Sequence, residues 1–470
     1  MVTTESYRAQ DELLAGPRNT VAVRLALVPL LLASFTCTWS IVKPLGGQLA
    51  ISDYLLALSL LVTIPIVVLG GRPISIPGWI FIPAVVIPVC LLVRQLDPPR
   101  DPWRVLRLQV QEQNPDNVHK ALIWLAALYV VPLAITASAA IERRVVEWVI
   151  GAYVSGVAVS CVVAMTDSLR LTHIASNLTY HREIANPLDY RWGERQAGLA
   201  DHPNMLGLIC AISLPFAIYF MGRRGRTWIS AIALIALFAG LLASGSRGAQ
   251  AISPLIVTVS VLCLPNKRAI VRAIAVSATV LVAAGTVLLS TVLADDRRWF
   301  LRFTGGGDPY EAQRSDKMRL GLMDQAWTDF QKYPLFGAGI RHISEAHNIY
   351  LQLLAAGGVV LVAGMLAYFL CILRDCRRLS RNGILLARFL TISIAVWLVL
   401  GVVENQIVDR ELYFTVGCVA ALVATANASG LKDLNGHRRA HVRIAPQRLE
   451  SGGVQRILTA SARGHVAKAT

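Results

Sequence analysis

Four polar stretches, each set against long apolar runs, hold the side chains in this sequence that could do chemistry. Arg195 precedes Gly198 and Asp201-His202-Pro203-Asn204, where Pro203 suits the first turn of a helix. Free backbone donors at such a helix start would help to hold an anion. Ser244-Gly245-Ser246-Arg247-Gly248 separates two apolar runs with almost no loop, which leaves Arg247 at an interface where a charge without a partner is costly. Either that arginine snorkels to water, or its small neighbours let a ligand approach the backbone. Arg319 lies where Leu320, Met323, Trp327 and Phe330 recur at helical spacing, with Asp324, Gln325 and Asp329 between them and Pro334 to end the helix. Tyr333-Pro334-Leu335-Phe336-Gly337-Ala338-Gly339 then leads to Glu345-Ala346-His347-Asn348-Ile349-Tyr350-Leu351, which enters an apolar run carrying Gly357 and Gly358. Arginines that stay charged point to an anionic ligand, whereas a lone histidine where a loop enters the membrane, near both water and headgroups, is by itself usually structural.

Positioning these groups falls to the apolar runs. Of 470 residues, 55% are hydrophobic and 16% charged, with a mean hydropathy of +0.54. Water-soluble chains carry about a quarter charged residues, so water is not the main solvent. Runs long enough to cross a hydrocarbon core are expected at 24–42, 50–69, 77–93, 121–140, 146–165, 204–221, 228–244, 249–265, 271–294, 348–373, 385–403 and 412–428. The expected fold is therefore an all-α, polytopic transmembrane bundle of about 12 spans. Arg143 and Arg144, Arg223, Arg224 and Arg226, Lys267, Arg268 and Arg272, and Arg374, Arg377, Arg378 and Arg381 all fall on one side in that threading. The excess of Lys and Arg in cytoplasmic loops makes that side the cytoplasm. Both termini fall there too: 1–23 as a short N-terminal segment, and 429–470 as a basic tail expected to be disordered and drawn to anionic lipid. The transmembrane domain, 24–428, then presents three outward loops, 95–120, 166–203 and 295–347. Trp39, Trp79, Trp148 and Trp228 fall near span ends, where amphipathic rings favour the headgroup layer.

Several chemistries fit poorly. Seven of the eight cysteines, Cys376 being the exception, lie inside apolar runs without metal-ligand spacing and read as small packing residues. Thr304-Gly305-Gly306-Gly307-Asp308 lacks the Gly-Lys-Ser/Thr of a phosphate loop. No outward segment is long enough for a nucleotide-binding domain. The net charge of +16 is segregated by loop, which suits a membrane rather than nucleic acid.

Arg195 to Asn204, Ser244 to Gly248, Arg319 with Trp327, and Phe336 to Gly358 together resemble the O-antigen ligase and polymerase superfamily of bacterial envelope glycosyltransferases. The resemblance covers the second half of the chain, and its most specific part is His347-Asn348 followed by an apolar run with glycines. It implies a GT-C-like bundle whose large outer loop contains short helices, placed in the bacterial plasma (inner) membrane. It also implies transfer of a glycan from an undecaprenyl-diphosphate-linked donor to a glycan, lipid or protein hydroxyl on the periplasmic side, without metal or other cofactor. Envelope polysaccharide assembly proteins would be the partners. Carried onto this sequence, the diphosphate falls to Arg195, Arg247 and Arg319 and the acceptor to His347. Arg319 and His347 form the catalytic pair, and Asn348, Tyr350, Ser246 and Asn204 support them. Guanidinium groups fixed in advance stabilise a departing diphosphate more than the bound donor, and His347 would take or orient the acceptor proton. In the first outer loop, Lys43-Pro44-Leu45-Gly46-Gly47-Gln48 carries no carboxylate and Asp53 stands alone after it, so a metal-dependent lipid-sugar transferase fits poorly.

Two other readings compete. A multi-span transporter or flippase would place polar groups at mid-span, whereas few charges lie there. A non-catalytic scaffold for an envelope complex would make the outward arginines and His347 dispensable.

Overall fold

The computed structural model describes residues 10, 13–14, 24–43, 49–72, 74–97, 117–175, 178, 195–223, 227–264, 267–268, 270–271, 273–275, 278–279, 282, 309–340, 346–404 and 407–429, with backbone alone at 117, 119–120, 309–316 and 318. Among the described residues every regular element is helical. In chain order they are α1 (Val28–Thr36), α2 (Ile51–Leu69), a single 3₁₀ turn (Gly78–Ile80) leading into α3 (Phe81–Leu96), α4 (Asn117–Ile141), α5 (Val145–Ser168), α6 (Pro203–Met221), α7 (Thr227–Ser244), α8 (Arg247–Leu262), α9 (Pro309–Lys332), α10 (Ile349–Arg381), α11 (Leu385–Leu400) and α12 (Arg410–Ala428).

Among the described residues eight segments are long and apolar enough to cross a membrane: α2, Gly78–Leu96, the Ala121–Ile141 part of α4, and α5, α6, α7, α10 and α12. α8 and α11 are apolar but shorter. The run expected at 24–42 forms a helix of only 9 residues, α1, followed by turns. Most of the run 271–294 lies outside the described residues, as do 1–9, most of 98–120, most of 176–194, 283–308, 341–345 and the tail 430–470.

α6 is the axis of the bundle. It is apolar all round, and every residue from Pro203 to Met221 is buried, as suits a helix wrapped by neighbours on all sides. Those neighbours are α5, α7, α8 and α11, while the similarly buried α12 packs on α4. Lipid tails supply no hydrophobic drive between helices, so close packing and interhelical hydrogen bonds must hold them. Ser393 Oγ donates to the Ile212 carbonyl at 2.9 Å, and Trp124 Nε1 donates to the Tyr413 hydroxyl at 2.8 Å.

The two ends of the bundle differ in chemistry. At the end where α6 stops, the Arg223 guanidinium meets Glu147 at 2.8 Å, and the Tyr219 hydroxyl and Gln10 Nε2 donate to the same carboxylate at 2.6 and 2.7 Å. Arg72 caps the end of α4 there, through the Ala140 and Ile141 carbonyls at 3.1 and 2.8 Å. Trp79, expected as a headgroup anchor, is instead buried and donates to Asp375 at 3.0 Å. A carboxylate partner inside the protein outweighs the headgroup layer for its N–H.

α10 is broken in its first half. Gly358 has φ +63°, which leaves the carbonyls of Ala355 and Ala356 without helical partners, and the glycine-rich loop after α9 supplies them. Ala338 and Gly339 donate to those carbonyls at 2.6 and 3.1 Å, while Val359 and Val360 donate back to Pro334 and Leu335 at 2.8 and 3.2 Å. Gly337, at φ +65°, lies so close to the Ala356–Gly357 peptide that any side chain there would overlap it. The Phe336–Gly339 and Gly357–Gly358 motifs are thus two halves of one joint.

Candidate functional site

The four polar stretches of the sequence meet at the opposite end of the bundle, where α6, α8 and α10 begin. His202 caps α6, its Nδ1 accepting from the Asn204 amide at 2.9 Å, and Pro203 occupies the first helical position as its spacing predicts. Arg195 joins two stretches: its Nε donates to the Ser244 carbonyl at 2.8 Å and its terminal nitrogen to Asn204 Oδ1. Gly245, at φ +57°, lets the Arg195 side chain lie across it, since a Cβ there would stand 3.2 Å from Arg195 Cγ. Ser246 is buried at the N-cap of α8, and Arg247 follows as its first residue with an exposed side chain.

The His347 stretch is fixed to the end of α11. Asn348 caps α10, its Oδ1 accepting from the Tyr350 and Leu351 amides at 3.0 and 3.1 Å. The Ile349 amide donates to the Gly401 carbonyl at 2.8 Å, and the Tyr350 hydroxyl donates to the Leu398 carbonyl at 2.6 Å. Between these anchors His347 is held at φ +47°, a region that side chains other than glycine seldom occupy. Its Nδ1 is buried and has no hydrogen-bond partner among the described residues.

Arg319 reaches the same place from α9. That helix packs on α10 through buried Ala326, which clusters with Ala346 and Ala355, and Arg319 is on the same face two turns earlier. The stripe expected from the sequence is only partly used: Leu320 and Trp327 are exposed, whereas Ala326 and Asp329 are buried. A small residue brings the α9 backbone close to the joint in α10, and the bulkier apolar side chains turn outward.

Five ionisable groups share one electrostatic field. Burial, with the charges of Arg195 and Arg319 and nearby His347, pushes His202 down to about 3. Burial and the Arg319 guanidinium push His347 down to about 4. Glu404 follows α11, is 5% exposed and is raised by burial to about 7 although Arg319 and Arg195 pull it down. The structure therefore brings together Arg195, Arg319 and His347, with Asn204 as the clamp on Arg195 and Asn348 and Tyr350 as anchors. Arg247 stands at the start of α8, two residues beyond Gly245. At neutral pH both imidazoles are uncharged in a surrounding field of guanidinium charge, and three helix N-termini add partial positive charge beside them. Such a cluster suits a multiply charged anion.

Residues 231–366 match the O-antigen ligase family (Wzy_C). The O-antigen ligase match bears out the resemblance read from the sequence. It spans Arg247, Arg319, His347 and the joint in α10, and leaves Arg195, His202 and Glu404 outside its limits. Together with the apolar helices, it supports a bacterial membrane protein with glycan transfer of the ligase or polymerase type, acting on a lipid-linked glycan. Comparison with curated proteins gives no match.

Sequence reading assigned no role to His202 or Glu404. The first is visible as a cap residue before proline, and the second as an acid directly after an apolar run, where a charge calls for a partner. What pairs each with the arginines is tertiary. Among the described residues no group of three His, Cys, Asp or Glu side chains is placed to hold a metal ion.

Proposed function

We propose that this protein transfers a glycan from a polyprenyl-diphosphate-linked donor, undecaprenyl diphosphate by family resemblance, to a hydroxyl of a glycan, lipid or protein acceptor. The observation that supports it is the meeting of Arg195, Arg319, His202, His347 and Glu404 at the helix starts of a membrane bundle. Arg195 and Arg319 hold the diphosphate, with Arg247 at the rim meeting it from α8. The acceptor oxygen bonds to the anomeric carbon as the bond from that carbon to the diphosphate breaks, and the diphosphate leaves with the electron pair. Guanidinium groups already in place stabilise that growing charge without reorganising.

The acceptor proton goes to Glu404, whose affinity near 7 matches a base working at neutral pH. His347, pushed down to about 4, is a weak base and orients the acceptor. Donor binding would cancel part of the arginine charge and lift both histidines toward their ordinary values.

In this reading the site of a GT-C-like bundle with cytoplasmic termini lies on the periplasmic face of the inner membrane. Anionic lipids meet the basic tail, and envelope polysaccharide assembly proteins meet the outer loops. Assay in membranes of His347→Ala, folded and inserted like the parent, tests the acceptor role. A drop in transfer of at least ~100-fold is expected, and full transfer would contradict the role.

A further inference from the structure

A polar cavity opens beside this cluster and takes no part in the reaction above. Asn204, in the first turn of α6, faces Arg195, while the next residue, Met205, lines a cavity of about 120 Å³ together with Ser40, Lys43, Asp201, Asp409, Arg410 and Glu411. Asp201 also precedes the cap His202, so the cavity and the cluster share one short piece of chain.

The cavity is built rather than accidental. Arg410 is anchored by an ion pair with Asp53 and by Ser52 Oγ at 3.4 Å. Glu411 is 3% exposed and its Oε2 has no hydrogen-bond partner among the described residues. Ser40 is 9% exposed, and its hydroxyl lacks one as well. Buried polar atoms without partners are costly, and two on one cavity call for something inside it that both donates and accepts.

The lining selects the ligand class. An anion would meet Asp201, Asp409 and Glu411, a simple cation would meet Lys43 and Arg410, and an apolar group would leave the Ser40 hydroxyl and Glu411 Oε2 unpartnered. A sugar ring satisfies both signs, because each hydroxyl donates to a carboxylate and accepts from an ammonium or guanidinium. The volume equals that of about four waters, enough for the hydroxyl-bearing edge of one ring.

We infer that this cavity is a sugar subsite, holding hydroxyls of a neutral pyranose belonging to one of the glycan substrates. The inference rests on the transfer reading above, and it assigns to Ser40 and Glu411 the recognition of a ring next to the reacting centre. The source of the ring, donor or acceptor, shows in which substrate's KM responds.

The test has two arms on the full chain in lipid nanodiscs. The first reads saturation-transfer NMR from methyl pyranosides (a neutral hexoside, an N-acetylhexosaminide and a uronide) with no donor present. The parent protein is expected to saturate ring protons of a neutral glycoside, with a loss of at least ~5-fold in Glu411→Gln and Ser40→Ala and none in Arg319→Ala. The second arm measures transfer. The two subsite variants should raise KM for one glycan substrate by about 10-fold with kcat nearly kept, the pattern of lost uniform binding. Ser40→Ala keeps the inference testable should Glu411→Gln not fold. Saturation unchanged by either variant, or found for no neutral glycoside, means that the cavity holds water only and overturns the inference. If the parent transfers glycan and Arg319→Ala does not, that result leaves the transfer reading standing. If the parent transfers nothing, the transfer reading fails whatever the first arm shows.

Discussion

At the scale of single residues, the account turns on which group carries charge at neutral pH. Glu404 titrates near 7 and His347 near 4, so kcat/KM should fall with unit slope below pH about 7. That limb should vanish in Glu404→Gln, together with most of the rate. A limb placed near 4 and untouched by Glu404→Gln would return the proton to His347. Stability follows a separate sign. Glu404 is raised, so its contribution is full below the ordinary carboxylate range and is lost as pH rises through about 7. Glu404→Gln should therefore melt above the parent at pH 8, with the gap closing toward pH 5. The histidines are depressed and act oppositely: their contribution is present above their ordinary value and is lost as pH falls through about 4 and 3. Arg247 was legible in the sequence because a charge beside an apolar run needs a reason, and Arg195, Arg319 and His347 through the family resemblance. The influence of Arg319 on Glu404 was not, since 85 residues separate them in the chain (404 − 319) and only the fold brings their charges within range.

At the scale of elements, the joint between the α9–α10 loop and the break in α10 sets where Arg319 and His347 stand. Gly337→Ala and Gly358→Ala each add a Cβ that overlaps backbone at a positive φ. Each should cost about 1–3 kcal/mol or more and lower the melting temperature of the purified protein. Gly321→Ala in α9 is the control: nothing lies within 4 Å of its Cβ, and alanine should stabilise that helix by up to ~1 kcal/mol. If all three behave alike, the joint is not the constraint described. Periodicity revealed α9 and proline its end, but not the face it buries. Apolar bulk marked Leu320 and Trp327, yet a close approach to α10 selected Ala326 instead, as small residues do where backbones must meet.

Over the whole molecule, apolar run length gave the helices nearly residue for residue in α2, α6, α7 and α12, because in lipid a helix is the form that satisfies its own backbone, while α10 runs on past the expected 373 to Arg381. It overstated the first run, where turns follow after Thr36. The end opposite the site has its own buried network around Glu147. Removing that carboxylate by Glu147→Ala should cost about 3–5 kcal/mol while leaving the kinetics of the remaining folded protein unchanged. Loss of transfer out of proportion to loss of folded protein would mean that the two ends are coupled.

The central claim is that guanidinium charge at the helix starts stabilises a departing diphosphate, and it is tested most directly by following release of polyprenyl diphosphate. Purified protein in liposomes would be given a synthetic polyprenyl-diphosphate glycan and an acceptor, with product separated by chromatography. The account predicts acceptor-dependent release by the parent and a fall of about 100- to 1,000-fold in Arg319→Ala, with Arg319→Lys recovering only part because a point charge cannot grip two oxygens at once. Release by Arg319→Ala at the parent's rate, or uptake of the intact donor without any release, would contradict it.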